Sequence, residues 1–197
     1  MIIAMPLSLF GKITRRELIS AVAVTASPFS GGQQVQDWGG EWWEYDLEFA
    51  LHLGREGKKM SAFFAQLGGA KNTFLMKDWS IDQVVAGSPV VSGAGQTGNA
   101  LVTSGWPVSA TVLQYGDFFQ LGTVEQTRLH QVTANAVSNS SGVATLQFVP
   151  ALRASPGAGA ALVVNAPDVL LRLTSGVPAA IRSGGVYSFA LSAREAI

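Results

Sequence analysis

The chain has 197 residues, enough for one large domain or two compact ones; 48% of them are hydrophobic and only 13% charged, about half the usual charged share of about 25%. Thirteen basic residues balance thirteen acidic ones, so no long-range field would gather nucleic acid or an anionic membrane, and we expect specific binding to neither. There is no cysteine, which excludes disulfides, thiol catalysis and thiolate metal sites. A surface with so few charges is usually covered by neighbouring subunits or partners, which indicates an oligomer.

The first strong local pattern covers residues 18–26, where β-branched and small side chains predict a strand that ends at Ser27-Pro28. Together with Arg15-Arg16, this stretch also resembles a twin-arginine signal peptide. We favour the strand, because Glu17 opens the would-be apolar region and that region is short. The next stretch, 27–41, carries four glycines and two large aromatic residues and is predicted to be a shaped loop.

Residues 42–51 alternate between apolar and acidic side chains with a period of two. This period predicts a strand with one core face and one solvent face. The two faces are Trp43, Tyr45, Leu47, Phe49 and Leu51 on one side and Glu44, Asp46 and Glu48 on the other.

The stretch 55–67 changes to a helical period. Met60, Phe63, Phe64 and Leu67 share one helical face, and Gly68-Gly69 stands where a helix C-cap is expected. We therefore expect one amphipathic helix that lies across the open end or face of a β-sheet.

From about residue 84 to 166 charges nearly vanish, and Gly, Ser, Thr, Val and Ala dominate. Short alternating runs separated by turns predict strands there, at 90–91, 110–113, 118–121, 128–133, 144–149 and 161–164. Asn139-Ser140-Ser141-Gly142 predicts a hairpin turn, because Asn and Gly tolerate positive φ. Short strands of this kind suggest a small barrel or sandwich.

Further strands are predicted at 72–76, 169–173 and 186–193. The expected fold class is therefore all-β: a β-sandwich with one amphipathic helix, formed by residues 1–80 and 167–197, plus an inserted small β-barrel or sandwich domain, OB-like or galectin-like, at 84–166. Insertion is tolerated where the chain leaves and re-enters a domain at nearby surface points.

The chain shows no recognisable catalytic arrangement, and we expect no enzyme activity, no metal and no cofactor. Only His52 and His130 are residue types that could serve as general bases near neutral pH, and neither has a recognisable partner pattern. The acidic series Asp37, Glu41, Glu44, Asp46 and Glu48 lies near three tryptophans and superficially suggests a sugar-processing cleft. We favour the simpler interpretation, in which most of these carboxylates form the solvent face of one strand.

Trp38, Trp42 and Trp43 form the most conspicuous group of side chains. Clustered aromatic residues stack sugars, anchor protein interfaces or fill the end of a sandwich. Alternation assigns Trp43 to the core, whereas Trp38 and Trp42 are candidates for an interface.

Two strings resemble the distal or minor tail proteins of long-tailed bacteriophages: SPFSGGQQVQDWGGEWWEYDLEF, and LGGAKNTFLMKDWS after the helix. The later strings GAGQTGNALVTSGWP, YGDFFQLG, RLHQV, FVPALRASPGAGA and GGVYSFALSAREAI are also similar to that family. The resemblance spans almost the whole chain, and its motifs are compositional and positional rather than catalytic.

The resemblance implies a structural virion protein of the tail tip, made in the host cytoplasm. Its β-sandwich would pack into a homo-hexameric ring that joins the tail tube protein to the baseplate hub protein. The lumen would pass the tape measure protein and DNA. Such a ring closes through heterologous, head-to-tail contacts.

In this assembly, the segment from Met1 to Lys12 is a candidate arm that packs on a neighbour. The predicted interface residues are Ile2, Ile3, Leu7, Phe10, Trp38 and Trp42. The alternative function is a carbohydrate-binding module for host attachment, which uses either the 84–166 domain or the Trp38 and Trp42 region. A sugar binder would expose an aromatic platform, whereas an assembly protein would bury it between subunits.

Overall fold

The structure is a computed structural model, and it describes residues 1–6 and 11–197. Those residues form strands, one α-helix and a short 3₁₀ turn. In chain order they are β1 (Ile2–Ala4), β2 (Lys12–Ala26), β3 (Gln33–Leu53), α1 (Gly54–Leu67), β4 (Thr73–Lys77), β5 (Val90–Val91), β6 (Gly98–Ser104), β7 (Thr111–Leu113), β8 (Phe118–Leu121), the 3₁₀ turn (Val124–Gln126), β9 (Arg128–Val132), β10 (Ala136–Val137), β11 (Val143–Leu152), β12 (Leu162–Val163), β13 (Asp168–Leu173), β14 (Ala179–Arg182) and β15 (Val186–Glu195).

The predicted all-β fold class with one helix is confirmed. One sheet has seven strands in the order β1-β4-β13-β15-β3-β2, with β14 paired to β15. β1 joins β4 in parallel, and the other pairs of this sheet are antiparallel. The sheet is therefore built from both ends of the chain.

The inner part of β3 forms the floor of the first hydrophobic core. Its alternation buries Trp43, Tyr45, Leu47 and Phe49, as predicted. Leu51 was predicted on the same face, but its side chain is 61% exposed. Its φ of +27° departs from extended backbone and interrupts the alternation there.

Helix α1 covers this core, as its apolar face predicts. The helix buries Met60, Phe63, Phe64 and Leu67, and the Phe64 ring lies 5.2 Å from that of Phe189 on β15. It ends at Gly68, whose φ of +60° is a left-handed conformation that glycine adopts without steric cost.

The second sheet has six strands in the order β12-β8-β9-β11-β6-β5. A bridge between Val90 and Ala161 brings its two edge strands together, so the sheet is nearly closed into a barrel. A second hydrophobic core fills it, with Leu101, Phe119, Leu146 and Phe148 fully buried. The predicted turn at 139–142 is present, where Gly142 N–H donates to Asn139 O at 3.1 Å.

Several stretches differ from the sequence-based predictions, and among them β14 was not predicted as a strand. The strand predicted at 18–26 begins at Lys12, and most of the stretch predicted as a loop, 33–41, belongs to β3. These residues have no regular apolar pattern, and only pairing with β2 makes them extended. β6 and β10 were not predicted, because their short sequences lack a clear period.

The two cores meet at the ends of β8 and β9. Phe118 and Leu129 belong to the barrel sheet but pack in the first core. The indole Nε1–H of Trp43 donates to Leu129 O at 2.9 Å. The assignment of 84–166 as an inserted, independent domain stays a prediction, since these contacts couple it to the first sheet.

Candidate assembly surface

One uncovered feature of the described residues is the outer half of the β2–β3 hairpin, residues 22–40, which we name the hairpin arm. Its strands pair in register from Val22 with Asp37 to Ala26 with Gln33. The loop 27–32 closes it, with Ser27 N–H donating to Gly32 O at 2.8 Å. Every residue from 28 to 39 is exposed. The arm therefore extends beyond both hydrophobic cores.

The two faces of the hairpin arm differ. Val24 lies directly opposite Val35, and Val22 follows two residues away on the same face. The adjacent pair, Thr25 with Gln34, points to the opposite face and is polar. The side chains of Val22, Val24 and Val35 are 42%, 58% and 61% exposed, respectively. One face of the arm thus carries an uncovered apolar stripe of three valines, and Asp37, the cross-strand partner of Val22, lies beside the inner end of this stripe on the same face.

Aromatic side chains stand at both ends of this stripe. Phe29 in the closing loop is 98% exposed and Trp38 is 64% exposed. Between Ser20 and Val22 the ladder shifts, so that residues 38–40 of β3 face the single residue Ala21. Such a bulge changes the direction of a side chain, and Gly39, with a φ of +67°, permits it. The bulge presents Trp38 to solvent.

Trp42, the other predicted interface tryptophan, lies at the base of the hairpin arm. It is half-buried, and its Nε1–H donates to Glu44 Oε1 at 3.2 Å. It is thus partly held by its own chain, and a role in contact with a neighbour stays a prediction.

Part of the predicted N-terminal arm packs on its own chain. Ile2 pairs with Thr73 and Ile3 with Phe74 of β4, and Ile3 packs against the first core. Leu7 and Phe10 lie outside the described residues. Packing of this segment on a neighbouring subunit stays a prediction. Because β4 occupies one edge of β1, a neighbour would contact the other edge of residues 2–4.

The acidic side chains of β3 form an ion-pair network rather than a cleft. Arg15 on β2 bonds Asp46 and Glu17, both at 2.6 Å. The hydroxyl of Ser192 donates to Asp46, and this bond and the Arg15 guanidinium lower the pKa of Asp46 below its ordinary value. Glu44 lies 3.6 Å from Arg15, and Glu48 is exposed. Glu44 and Asp46 are therefore grouped around Arg15 on the surface of the sheet and do not line a cleft.

The two histidines lie in different surroundings. His130 is buried in the barrel, where it stacks on Phe119 with ring centroids 5.1 Å apart. His52 follows the alternating part of β3, and its Nε2 is buried with no hydrogen-bond partner among the described residues. They belong to separate cores and do not form a pair.

Across residues 1–6 and 11–197, no three side chains of the metal-binding types come together as a site. Within the same ranges, no helix combines the length and the apolar character needed to cross a membrane.

Comparison with protein-family models gives no match, and a search of curated proteins gives no significant match either.

Sequence analysis found Trp38 but missed Phe29, Val22, Val24 and Val35 as surface candidates. The signal was present, because Val22 and Val24 alternate before the SPFSGG loop and Val35 follows it. Reading that pattern as one exposed ribbon requires the register of the hairpin, which only the structure supplies.

Proposed function

We propose that this chain is a structural protein of a bacteriophage tail tip that forms a ring of identical subunits. The ring would be six-membered and would join the tail tube to the baseplate hub; the number and the neighbours come from the sequence resemblance. The observation that carries the proposal is the uncovered apolar stripe of the hairpin arm.

A solvent-exposed hairpin of this length is unfavourable for a chain that stays a monomer. Isolated two-stranded hairpins are at best marginally stable in water, and this one has exposed valines that no residue of the described ranges, 1–6 and 11–197, covers. Asp37 is the one charged residue between positions 22 and 40. Protein interfaces are depleted in charge at their centre and enriched in aromatic residues, so the arm has the composition of a contact surface.

The arm also suits the symmetry of a ring. It projects from one edge of the seven-stranded sheet, and β1 lies at the opposite edge. A heterologous contact joins two different surfaces of one subunit and closes into a ring when the rotation allows it. In this proposal, the arm of one subunit packs on a different face of the next, and the three exposed valines become buried there.

The test is the solution mass of the purified chain by light scattering, combined with electron micrographs of the same sample. We expect closed rings, with a mass that is a multiple of 20.7 kDa and six times that value if the ring is a hexamer. The double variant Val24→Ser, Val35→Ser should shift the sample to monomer, because it removes the apolar face at the centre of the contact.

The matched control is Thr25→Ser, Gln34→Ser, which changes the neighbouring ladder pair on the opposite face of the same arm. It should leave the rings intact. A wild-type chain that remains at 20.7 kDa at all concentrations, without rings, would contradict self-assembly. Equal loss of rings in both double variants would show that the apolar face is not the contact.

The alternative, a carbohydrate-binding module, predicts a different fate for Trp38. Assembly should bury this residue and protect its fluorescence from acrylamide as rings form. A glycan-binding module should leave it accessible until a sugar is added. Trp38→Phe identifies its share of the signal among the five tryptophans of the chain.

A further inference from the structure

A cavity of about 340 Å³ opens at one end of the barrel, near the lower limit of the about 300 to 1,000 Å³ typical of ligand sites. It is bounded by the end of β8, the 3₁₀ turn, β9 and the segment that follows β11. Part of its lining is apolar, with Leu121, Leu152 and Pro156. The cavity lies outside the hairpin arm, although Arg153 in its lining bonds the main-chain oxygen of Glu41, the residue that follows the arm.

Two guanidinium groups line this cavity, and no carboxylate does. Arg128 donates through its NH1 group to Thr127 O at 2.7 Å, and Arg153 donates through NH2 to the main-chain oxygen of Glu41. A guanidinium has five N–H donors, so each arginine retains donors for a ligand. Both guanidinium groups line the same cavity as His130.

The surroundings weaken the hydration of one of these cations. Arg128 is half-buried, and burial lowers its pKa from the ordinary value. Glu195 acts on Arg128 from outside the cavity and offsets part of its charge. A partly dehydrated cation gains more from an anionic ligand than a fully hydrated one does.

His130 supplies a different group to the same cavity. Its side chain is 2% exposed and its Nδ1 lies 2.8 Å from Pro150 O. A carbonyl only accepts, so Nδ1 carries the proton, and burial lowers the pKa of the ring to about 4. At neutral pH, Nε2 is then an acceptor, and it has no hydrogen-bond partner among the described residues. An acceptor beside two cations fits a hydroxyl next to an anionic group.

We propose that this cavity binds a sugar acid of monosaccharide size. Its carboxylate or phosphate would pair with Arg128 and Arg153, a neighbouring hydroxyl would donate to His130 Nε2, and its C–H face would contact Leu121 and Leu152. The inference does not depend on ring formation, since every contributing group lies within one chain.

The experiment is calorimetric titration of the full chain with four probes: glucuronate, glucose 6-phosphate, glucose and acetate. We expect at least one of the two acidic sugars to bind, and the preferred one distinguishes a carboxylate site from a phosphate site. Glucose lacks the anion and acetate lacks the hydroxyls, so each should bind about tenfold or more weakly.

Arg153→Gln should weaken binding of the acidic sugar by about tenfold or more. The matched control is Arg172→Gln, because Arg172 also donates to main-chain oxygens, those of Ala70 and Lys71, but lies away from the cavity. It should leave binding unchanged, and near-UV circular dichroism confirms that both variants are folded. No binding of either acidic sugar, or equal binding by wild type and Arg153→Gln, would overturn the proposal.

Discussion

At the scale of single residues, the buried carboxylate of Asp78 holds the two halves of the molecule in place. Its side chain is fully buried and lies 2.6 Å from the Arg16 guanidinium. The Tyr45 hydroxyl donates to it at 3.0 Å, and burial together with this carboxylate raises the pKa of Tyr45 well above its ordinary value. Arg16 in turn lies 4.1 Å from the ring centroid of Phe118. Asp78 thus orients a cation that touches the barrel.

We expect Asp78→Asn to lower the free energy of unfolding by about 3 kcal/mol. The neutral amide would leave the partly buried Arg16 guanidinium without its counter-charge. Urea denaturation followed by tryptophan fluorescence measures this change. Asp82→Asn, at an exposed position of the same segment, is the control and should change stability little. Equal denaturation midpoints for the two variants would show that the Asp78 pair contributes nothing to stability.

At the scale of elements, the contact between α1 and β15 depends on a glycine. Gly57 is buried within the helix, and a Cβ atom there would lie 2.2 Å from Cδ2 of Tyr187 on β15. The Tyr187 ring stacks on Phe189 with centroids 6.4 Å apart, so it has little room to move. The missing side chain lets the helix approach the sheet.

Helix propensity alone predicts that Gly57→Ala stabilises α1 by about 1 kcal/mol. We expect the opposite result, a loss of about 1 to 3 kcal/mol, because overpacking against Tyr187 forces the helix away from the sheet. Thermal unfolding measures it, and Lys58→Ala on the exposed face is the matched control. A higher melting temperature for Gly57→Ala would mean that Tyr187 moves aside easily.

At the scale of the whole molecule, the two hydrophobic cores are joined rather than merely adjacent. Phe118 and Leu129 of the barrel pack in the first core. The carboxylate of Glu195 on β15 accepts hydrogen bonds from the backbone amides of Trp43 and Leu129, each at 3.4 Å. Burial raises the pKa of Glu195, as expected for a carboxyl group buried between the first sheet and the barrel.

We therefore expect one cooperative unfolding transition for the full chain. Far-UV circular dichroism, which follows all strands, and near-UV circular dichroism, which follows the aromatic cores, should give coincident curves. Two separated transitions would show that residues 84–166 unfold as an independent domain and that the shared core at Phe118 and Leu129 contributes little coupling.

The sequence by itself determined the parts of this protein that depend on local periodicity. The inner half of β3 and helix α1 were predicted closely, because their apolar side chains recur at periods of two and of about 3.6 residues. The hairpin turn at 139–142 was predicted from residues that tolerate positive φ. The low charge also indicated a surface suited to contacts, which agrees with the exposed valines that carry the assembly proposal.

The tertiary structure decided what depends on register and on distant residues. The strand over 33–41 exists because β2 pairs with it, and that pairing also turns Val22, Val24 and Val35 to one side. The cavity at the end of the barrel brings Arg128 and His130 of β9 together with Arg153 from the loop that follows β11. Neither grouping has a local period. Both arise from long-range pairing, which a pattern of neighbouring residues does not encode.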